Sequence, residues 1–158
     1  MIKIRAAVPQ DKASVLTLLK QRGLFNDMEL RVAEEVFDEA FKNKEPVDYH
    51  VFCSLNEAGQ VVGYICFGPV PLTDGCFDLY WIVVDEAYAG KGIGRDLLRN
   101  MEHHVRRQHA RHIYVETSST SGYVPARAFY QKHGFKSACV LPDFYRKGDD
   151  KLIFMKVL

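Results

Sequence analysis

Apolar positions along this chain change period several times, and each change marks an element. Lys3 to Ala7 reads as a first strand, and Pro9-Gln10-Asp11 then gives a helix start ahead of Val15, Leu16, Leu18 and Leu19. Gly23 ends that helix. A second helical pattern runs from about Asp27 to Lys42, with Val32, Val36, Phe37 and Ala40 on one side. The period then falls to two. Tyr49 to Leu55 and Val61 to Gly68 flank the turn Asn56-Glu57-Ala58-Gly59-Gln60 as a hairpin. Cys76 to Val84 is the next strand and is expected to be buried on both faces near its end. After Gly94, Leu97, Leu98, Met101 and Val105 form the apolar side of a helix, while Arg95, Asp96, Arg99, Asn100, Glu102 and Arg106 take the other. A strand at His112 to Ser118, a helix around Pro125 to Phe135, a strand at Phe135 to Val140, a polar loop PDFYRKGDD and a strand at Lys151 to Val157 complete the chain. These elements predict an α/β fold: a mixed, mostly antiparallel, twisted sheet of about seven strands with helices on both faces.

Composition narrows the function classes. A chain of 158 residues, 47% hydrophobic and 26% charged, suits one domain with a core of its own. The formal net charge of +1 offers no general attraction to a polyanion, so no nucleic-acid partner is expected. Arg95, Arg99, Arg106, Arg107 and Arg111 do cluster, either as a solvated helix face or as an electropositive rim near a phosphorylated ligand. The opening MIKIRAAVPQDK has no apolar stretch of signal-peptide length, and nowhere do 18 apolar residues run together; a cytoplasmic protein with no membrane partner is expected. Cys53, Cys66, Cys76 and Cys139 show no CxxC pairing, and the six histidines are scattered, with His103 and His104 pointing two ways from one helix. Neither a disulfide nor a metal site is expected.

The segment with the most chemistry is Trp81 to Arg95, WIVVDEAYAGKGIGR, in which an apolar run stops at Asp85 and Gly90, Gly92 and Gly94 open the amphipathic helix. A helix start has four amide N–H groups without intrahelical partners and about half a positive charge, so an anion there gains hydrogen bonds and a favourable dipole together. Glycines permit positive φ and close backbone approach. A Walker-type loop is excluded, because Lys91 is followed by Gly92 and not by glycine-lysine-serine/threonine spacing. A dinucleotide fingerprint is met by Gly90 and Gly92 but has Arg95 in place of its third glycine, and the preceding segments form a meander in place of a βαβ unit.

A third reading joins two motifs. Gly92-Ile93-Gly94 matches the second half of the Gln/Arg-x-x-Gly-x-Gly/Ala loop of the GCN5-related N-acetyltransferases (GNAT), with Ala89 where Gln or Arg is expected. Downstream, PARAFYQKHGF at Pro125 to Phe135 resembles the second signature of that superfamily, Ala-x-x-Phe/Leu-Tyr-x-x-x-Gly-Phe. On these two motifs, in order, the chain is identified as resembling that superfamily along essentially its whole length, most specifically from Phe77 to Phe135.

The resemblance implies an acetyl-CoA-dependent N-acetyltransferase acting by direct transfer in a ternary complex. The strand before the loop would splay from its neighbour, and the backbone of Ile82, Val83 and Val84 would bind the pantetheine arm. The amides of Ala89, Gly90, Lys91, Gly92, Ile93, Gly94 and Arg95 would hold the diphosphate. The second signature usually has Asn three residues before Ala126; Tyr123 stands there, so Ser119 or the Tyr123 hydroxyl would have to supply that contact to the cofactor arm. Tyr130 occupies the general-acid position, donating to the departing thiolate, while Phe129 is expected to do the packing. Glu116, in IYVETS, matches the position of the base, in a setting that Val115 and Ile113 would make partly dry. A strand-end glutamate reaching solvent or a lysine is the structural alternative. Asp78 and Asp85 are reserves for the base, with Asp85 better placed to cap the loop.

The acceptor would be a small amine or a protein amino group. Phe25, Phe37 and Phe41 of the second helix and the loop Pro142 to Asp150 stand where relatives build acceptor pockets, and their aromatic, acidic composition suits a cationic amine. Relatives are often dimers through strand or helix exchange, so a homodimer is compatible with the resemblance. Two other functions remain open: a non-catalytic acyl-CoA sensor, suggested by the two missing polar signature residues, and transfer of a longer acyl chain.

Overall fold

Two helices follow the first strand, hairpins link the next three strands, and a crossover then produces the one parallel strand pair in the molecule. The computed structural model describes residues 1–158. The strands are β1 (Lys3–Ala6), β2 (His50–Leu55), β3 (Val61–Pro69), β4 (Cys76–Val84), β5 (His112–Ser118), β6 (Lys136–Arg146) and β7 (Asp149–Val157). The helices are α1 (Lys12–Gln21), α2 (Asp27–Glu39), α3 (Ile93–Arg106) and α4 (Val124–Lys132). One seven-stranded sheet runs in the order β1-β2-β3-β4-β5-β7-β6. Every pair is antiparallel except β4 with β5. Parallel neighbours need a crossover, and α3 with its glycine loop supplies it.

The two faces of the sheet carry separate cores. On one, Leu97, Leu98, Met101 and Val105 of α3 and Tyr130 of α4 pack against Ile65, Phe67, Phe77, Leu79, Ile113, Val115 and Phe154. On the other, Val15, Leu18 and Leu19 of α1 and Ala33 and Phe37 of α2 cover Cys53, Tyr64, Cys66 and Val83. Cys53 and Cys66 behave there as small apolar side chains; burial pushes the Cys53 thiol up to about 12. No helix is long and apolar enough to cross a membrane.

Two glycines fix how closely layers approach. A Cβ on Gly63 would sit 3.2 Å from Ile93 Cγ2 and 3.3 Å from Leu97 Cδ1, so α3 rests directly on the β3 backbone. At Gly68 it would meet the Asp48 carbonyl oxygen at 1.8 Å, so the entry to β2 crosses β3 where no other residue fits.

Three expectations are corrected. The buried face of α2 is centred on Ala33, Phe37 and Ala40, and Val32 is exposed, because α1 rather than the sheet sets the angle of contact. The end of β4 is not buried on both faces. Trp81, Ile82 and Val84 are half-buried, because the neighbouring strand has departed. The segment Pro142 to Asp150 is not a loop: β6 continues to Arg146 and turns at Lys147-Gly148, with Gly148 at φ 81°. Its acids serve the hairpin backbone, Asp143 Oδ1 accepting from Gly148 N at 2.6 Å and Asp150 Oδ1 from Asp143 N at 2.9 Å. Polar composition there reflects an exposed edge strand, not an irregular one.

Candidate functional site

Pairing between β4 and β5 begins at Cys76 with His112 and stops at Leu79 with Val115. Beyond that pair β4 stays on β3, through Ile65 with Ile82, Tyr64 with Val83 and Gly63 with Val84, while β5 stays on β7 through Glu116 with Ile153 to Ser118 with Lys151. The sheet therefore forks. A bulge in β4 at Tyr80, between the pairs Phe67 with Leu79 and Cys66 with Trp81, marks the fork and reverses which side chains face which layer. Thus Leu79, Ile82 and Val84 contact the α3/α4 core, whereas Tyr80, Trp81 and Val83 contact the α1/α2 core.

The fork leaves main-chain groups of β4 unpaired. Asp85 N donates to Val62 O at 2.9 Å, so by strand alternation Val83 also faces β3, and the N–H and C=O groups of Ile82 and Val84 point into the gap. Two of the three expected backbone positions can therefore accept an extended ligand as a strand would; Val83 can contribute only its buried side chain.

At the top of the gap the chain turns sharply. Asp85 accepts from Ala87 N at 2.9 Å, as the capping reading expected. Tyr88 fastens the turn to the β2–β3 hairpin by accepting from Asn56 Nδ2 at 3.0 Å, and Arg22 ties α1 to Glu86 at 3.0 Å. Ala89 N is used within the turn, on Glu86 O at 3.0 Å, and Lys91 N reaches Tyr88 O at 3.4 Å. Asp96 is the first residue to donate within α3, to Gly92 O at 3.0 Å. The amides of Gly90, Gly92, Ile93, Gly94 and Arg95 thus remain without backbone acceptors, a five-amide cradle in place of the seven expected.

The three glycines do different jobs. Gly90 and Gly92 lie at φ 74° and 82°, the left-handed region, and Gly92 caps the helix. Gly94 is helical. A Cβ on it would meet Phe129 Cε2 at 3.2 Å, so its role is to let α4 approach α3, not to clear room for an anion. The Arg95 guanidinium folds back over Gly92, 3.0 Å from where a Cβ would lie, while its Nε pairs with Asp96 Oδ1 at 2.9 Å. Of the five clustered arginines, Arg95 flanks the cradle; Arg106 ends α3, about 17 Å along the axis from it, and Arg107 and Arg111 lie beyond that end.

Below the fork sits Tyr130, buried against Phe129, Phe135 and Phe154 with ring centroids 5.7, 5.7 and 6.2 Å away. Burial, with Tyr123 adding to it, raises the phenol so that it holds its proton throughout the physiological range. The phenol and the cradle lie on the same face of the sheet. The division of labour expected along α4 is corrected: Tyr130 is the buried core residue, and Phe129 is half-buried, its ring tilted against His133 with centroids 4.5 Å apart and filling the notch over Gly94. Ala126 lines the same helix, half-buried at the edge of that core.

The β5–α4 connection is shaped by a network that the sequence reading missed. Ser118 donates to buried Asp149 at 2.5 Å, and Arg127 donates to the carbonyls of Ser118 at 2.7 Å and Thr120 at 3.0 Å. Ser119 Oγ accepts from Asp150 N at 2.8 Å, and the Tyr123 hydroxyl donates to Leu24 O at 3.3 Å. Both hydroxyls expected to contact a cofactor arm are therefore engaged with the protein. Only a Ser-Ser-Thr run followed by Arg at short range could have signalled this network.

Glu116 is the first β5 residue past the fork, on the face opposite Tyr130. Its expected dry setting is corrected: the side chain is 52% exposed, and Lys151 Nζ pairs with it at 2.8 Å. Lys151 lies 3.8 Å over the Phe144 ring. Val115 and Ile113, invoked as its apolar walls, point to the other face, as strand alternation requires.

Comparison with known proteins identifies the scaffold. The model of the acetyltransferase (GNAT) family matches residues 15–135. The chain belongs to that family. A crystal structure of a GNAT-family protein from Desulfovibrio desulfuricans superimposes with a TM-score of 0.91 at 37% identity, over 99% of each chain. An uncharacterized N-acetyltransferase of Methanocaldococcus jannaschii is 28% identical over 142 residues, 84% of this chain and 88% of that protein. An uncharacterized protein of Bacillus subtilis is 35% identical over 96 residues, 61% of this chain and 56% of that protein. This GNAT chain thus spans little more than half the length of the Bacillus protein, and nearly all of the other two.

Proposed function

We propose that this protein is an N-acetyltransferase that moves an acetyl group from acetyl-CoA to a primary amine by direct attack within a ternary complex. One observation carries the reading: the open β4 edge at Ile82 and Val84 leads to the free amides of Gly90 and of Gly92 to Arg95, with Tyr130 under the fork on the same face. A ligand that suits this track has an extended, amide-bearing arm and a diphosphate at one end. The fold also supports it, since the PaiA N-acetyltransferase of Thermoplasma acidophilum was solved in complex with coenzyme A.

In this reading the diphosphate lies on the five-amide cradle and the α3 dipole, with Arg95 swinging from Asp96 onto an oxygen. The pantetheine amides pair with Ile82 and Val84. An amine then attacks the thioester carbon, the C–N bond forms, and collapse of the adduct breaks the C–S bond. The nitrogen gives up a proton to solvent as the adduct forms, and the departing thiolate takes a proton from the Tyr130 hydroxyl, which regains one from solvent. Much of the acceleration comes from holding amine and thioester together in the fork. Because Ser119 and Tyr123 are engaged elsewhere, the cofactor arm is held by backbone more than by side chains.

The test is calorimetric binding of coenzyme A together with free-thiol release from acetyl-CoA across an amine panel. Saturable binding with amine-dependent release that Tyr130→Phe slows supports the enzyme. Binding without turnover over the whole panel, unchanged by Tyr130→Phe, establishes the sensor reading instead.

A further inference from the structure

One buried side chain beside the fork has no partner for its polar atom. Thr117 lies two residues past Val115 on β5, about 7 Å along the strand, and alternation puts it on the face of Val115 and Ile113, the face that α3 and α4 cover. It is 4% exposed, and its Oγ1 is sealed from solvent without a hydrogen-bond partner. A hydroxyl left in that state costs stability, and native proteins keep few of them. The other such atoms, Ser54 Oγ, Asn100 Oδ1 and His104 Nε2, belong to β2 and α3; only Thr117 sits on a strand of the fork.

Two contacts bring α4 over Thr117. Arg127 donates to the Ser118 carbonyl at 2.7 Å, so the helix meets β5 at the residue after Thr117. One turn later the Tyr130 ring stands 6.2 Å from that of Phe154, the β7 partner of Val115. Thr117 lies between these two anchor points, and the helix from Arg127 to Tyr130 passes above it. Its sheet neighbours on this face, Val115, Phe154 and its own partner Leu152, are apolar. Of the α4 residues packed on this core, Ala126, Phe129 and Tyr130, only Tyr130 has a polar side-chain atom. That phenol is buried and holds its proton. When it protonates the departing sulfur, the O–H bond breaks, the S–H bond forms, and the electron pair stays on an oxygen whose ring is packed by Phe129, Phe135 and Phe154. An oxyanion in apolar surroundings is unfavourable unless a donor reaches it.

We infer that Thr117 is a positioning residue for Tyr130: its hydroxyl donates a hydrogen bond to the Tyr130 oxygen as that oxygen gives up its proton, and holds the phenol toward the sulfur. This rests on the transferase reading above. Thr117 keeps its own proton throughout, and Tyr130 regains one from solvent. Because Thr117 Oγ1 is sealed, it acts through Tyr130 and touches neither the cofactor nor the amine. In the resting protein the two hydroxyls are not bonded, so the donor is spare until the phenolic oxygen gains charge. An unpaired buried hydroxyl beside a reacting group is strain of the kind that functional sites retain.

The experiment compares Thr117→Val, which keeps the shape and removes the hydroxyl, with Thr117→Ser, which keeps the hydroxyl. Thiol release from acetyl-CoA is read with the amine that the parent turns over best, and coenzyme A affinity and melting temperature are measured on the same preparations. Thr117→Val is expected to melt no lower than the parent, to bind coenzyme A within about twofold of it, and to lose about tenfold in kcat with the amine KM unchanged. Thr117→Ser should keep about half of the parent kcat or more. Introduced into Tyr130→Phe, where no phenolic oxygen remains to receive the bond, Thr117→Val should cost less than about twofold further. If Thr117→Val melts lower, Thr117→Ala and Thr117→Ser are compared in its place, and recovery of kcat by Ser supports the role. An unaltered kcat in Thr117→Val, a loss no smaller in the Tyr130→Phe background, or a Ser variant no faster than Val or Ala overturns this assignment and leaves the transferase intact. Coenzyme A binding by the parent without turnover of any amine overturns both.

Discussion

Leu79 and Val115 are the last residues to hold β4 against β5, and the proposed cofactor track begins just past them. On one side of that pair the sheet is an ordinary apolar core. On the other, two strands diverge, leaving backbone groups of Ile82 and Val84 free, Tyr130 beneath the opening and Glu116 on its opposite face. The fork follows from the partners on either side: β3 keeps β4 and β7 keeps β5, so neither strand can follow the other.

Tyr130→Phe separates catalysis from folding. The ring contacts with Phe129, Phe135 and Phe154 survive the change, so stability should move by no more than about 1 kcal/mol. Thiol release should fall by at least roughly tenfold. Thermal melting and steady-state rates on the same preparation check both halves.

Gly92→Ala places a side chain at φ 82°, at a cost of about 1 to 2 kcal/mol, and crowds the Arg95 guanidinium. Gly148, at φ 81° with open space around it, is a control with the same backbone strain. Both substitutions should lower the melting temperature. Calorimetry should find coenzyme A binding weakened only for Gly92→Ala.

Gly68→Ala has no room, because the Asp48 carbonyl would lie 1.8 Å from the new Cβ. Separating the entry to β2 from β3 should cost about 3 kcal/mol or more, read as a lower denaturant midpoint. Gly63→Ala, whose Cβ would meet Ile93 and Leu97 side chains at 3.2 and 3.3 Å along with the Val83 carbonyl oxygen at 3.2 Å, should cost less.

Acid should destabilise the protein before its carboxylates titrate. His50 is buried, stacked on Phe67 at 5.3 Å and 4.6 Å from the His104 ring, and burial with His104 lowers it to about 4. Unfolded histidine titrates near 6.5, so between these values the unfolded chain binds the proton and the folded chain does not. Stability therefore falls as pH drops from about 6.5 and the loss is complete near 4, amounting to about 1 to 2 kcal/mol with solvent screening. His104, lowered by burial, Arg107 and His103, acts in the same direction. Melting temperatures between these pH values should fall less steeply in His50→Phe, which keeps the stack on Phe67 and removes the proton site.

Much of this was legible in the order of residues, because it depends on local spacing. The heptad-like run Leu97, Leu98, Met101 and Val105 marks the buried side of α3 without knowledge of its partner, and positive φ at Gly90 and Gly92 follows from a glycine loop that must open a helix. The hairpin at Asn56 to Gln60 is equally local, its turn closed by Asn56 and Gln60 hydrogen bonds.

What depended on partners far along the chain was decided only by the tertiary structure. Glu116 alternates correctly along β5, yet whether it stands free depended on Lys151, 35 positions away and placed beside it by the β5–β7 register. Gly94 resembles its neighbouring glycines until Phe129 arrives from α4. Chain-local patterns are set by the pitch of a helix and the pleat of a strand, which any short segment carries within itself; charge pairing and close approach are set by which distant segments meet, and that is fixed only when the sheet assembles.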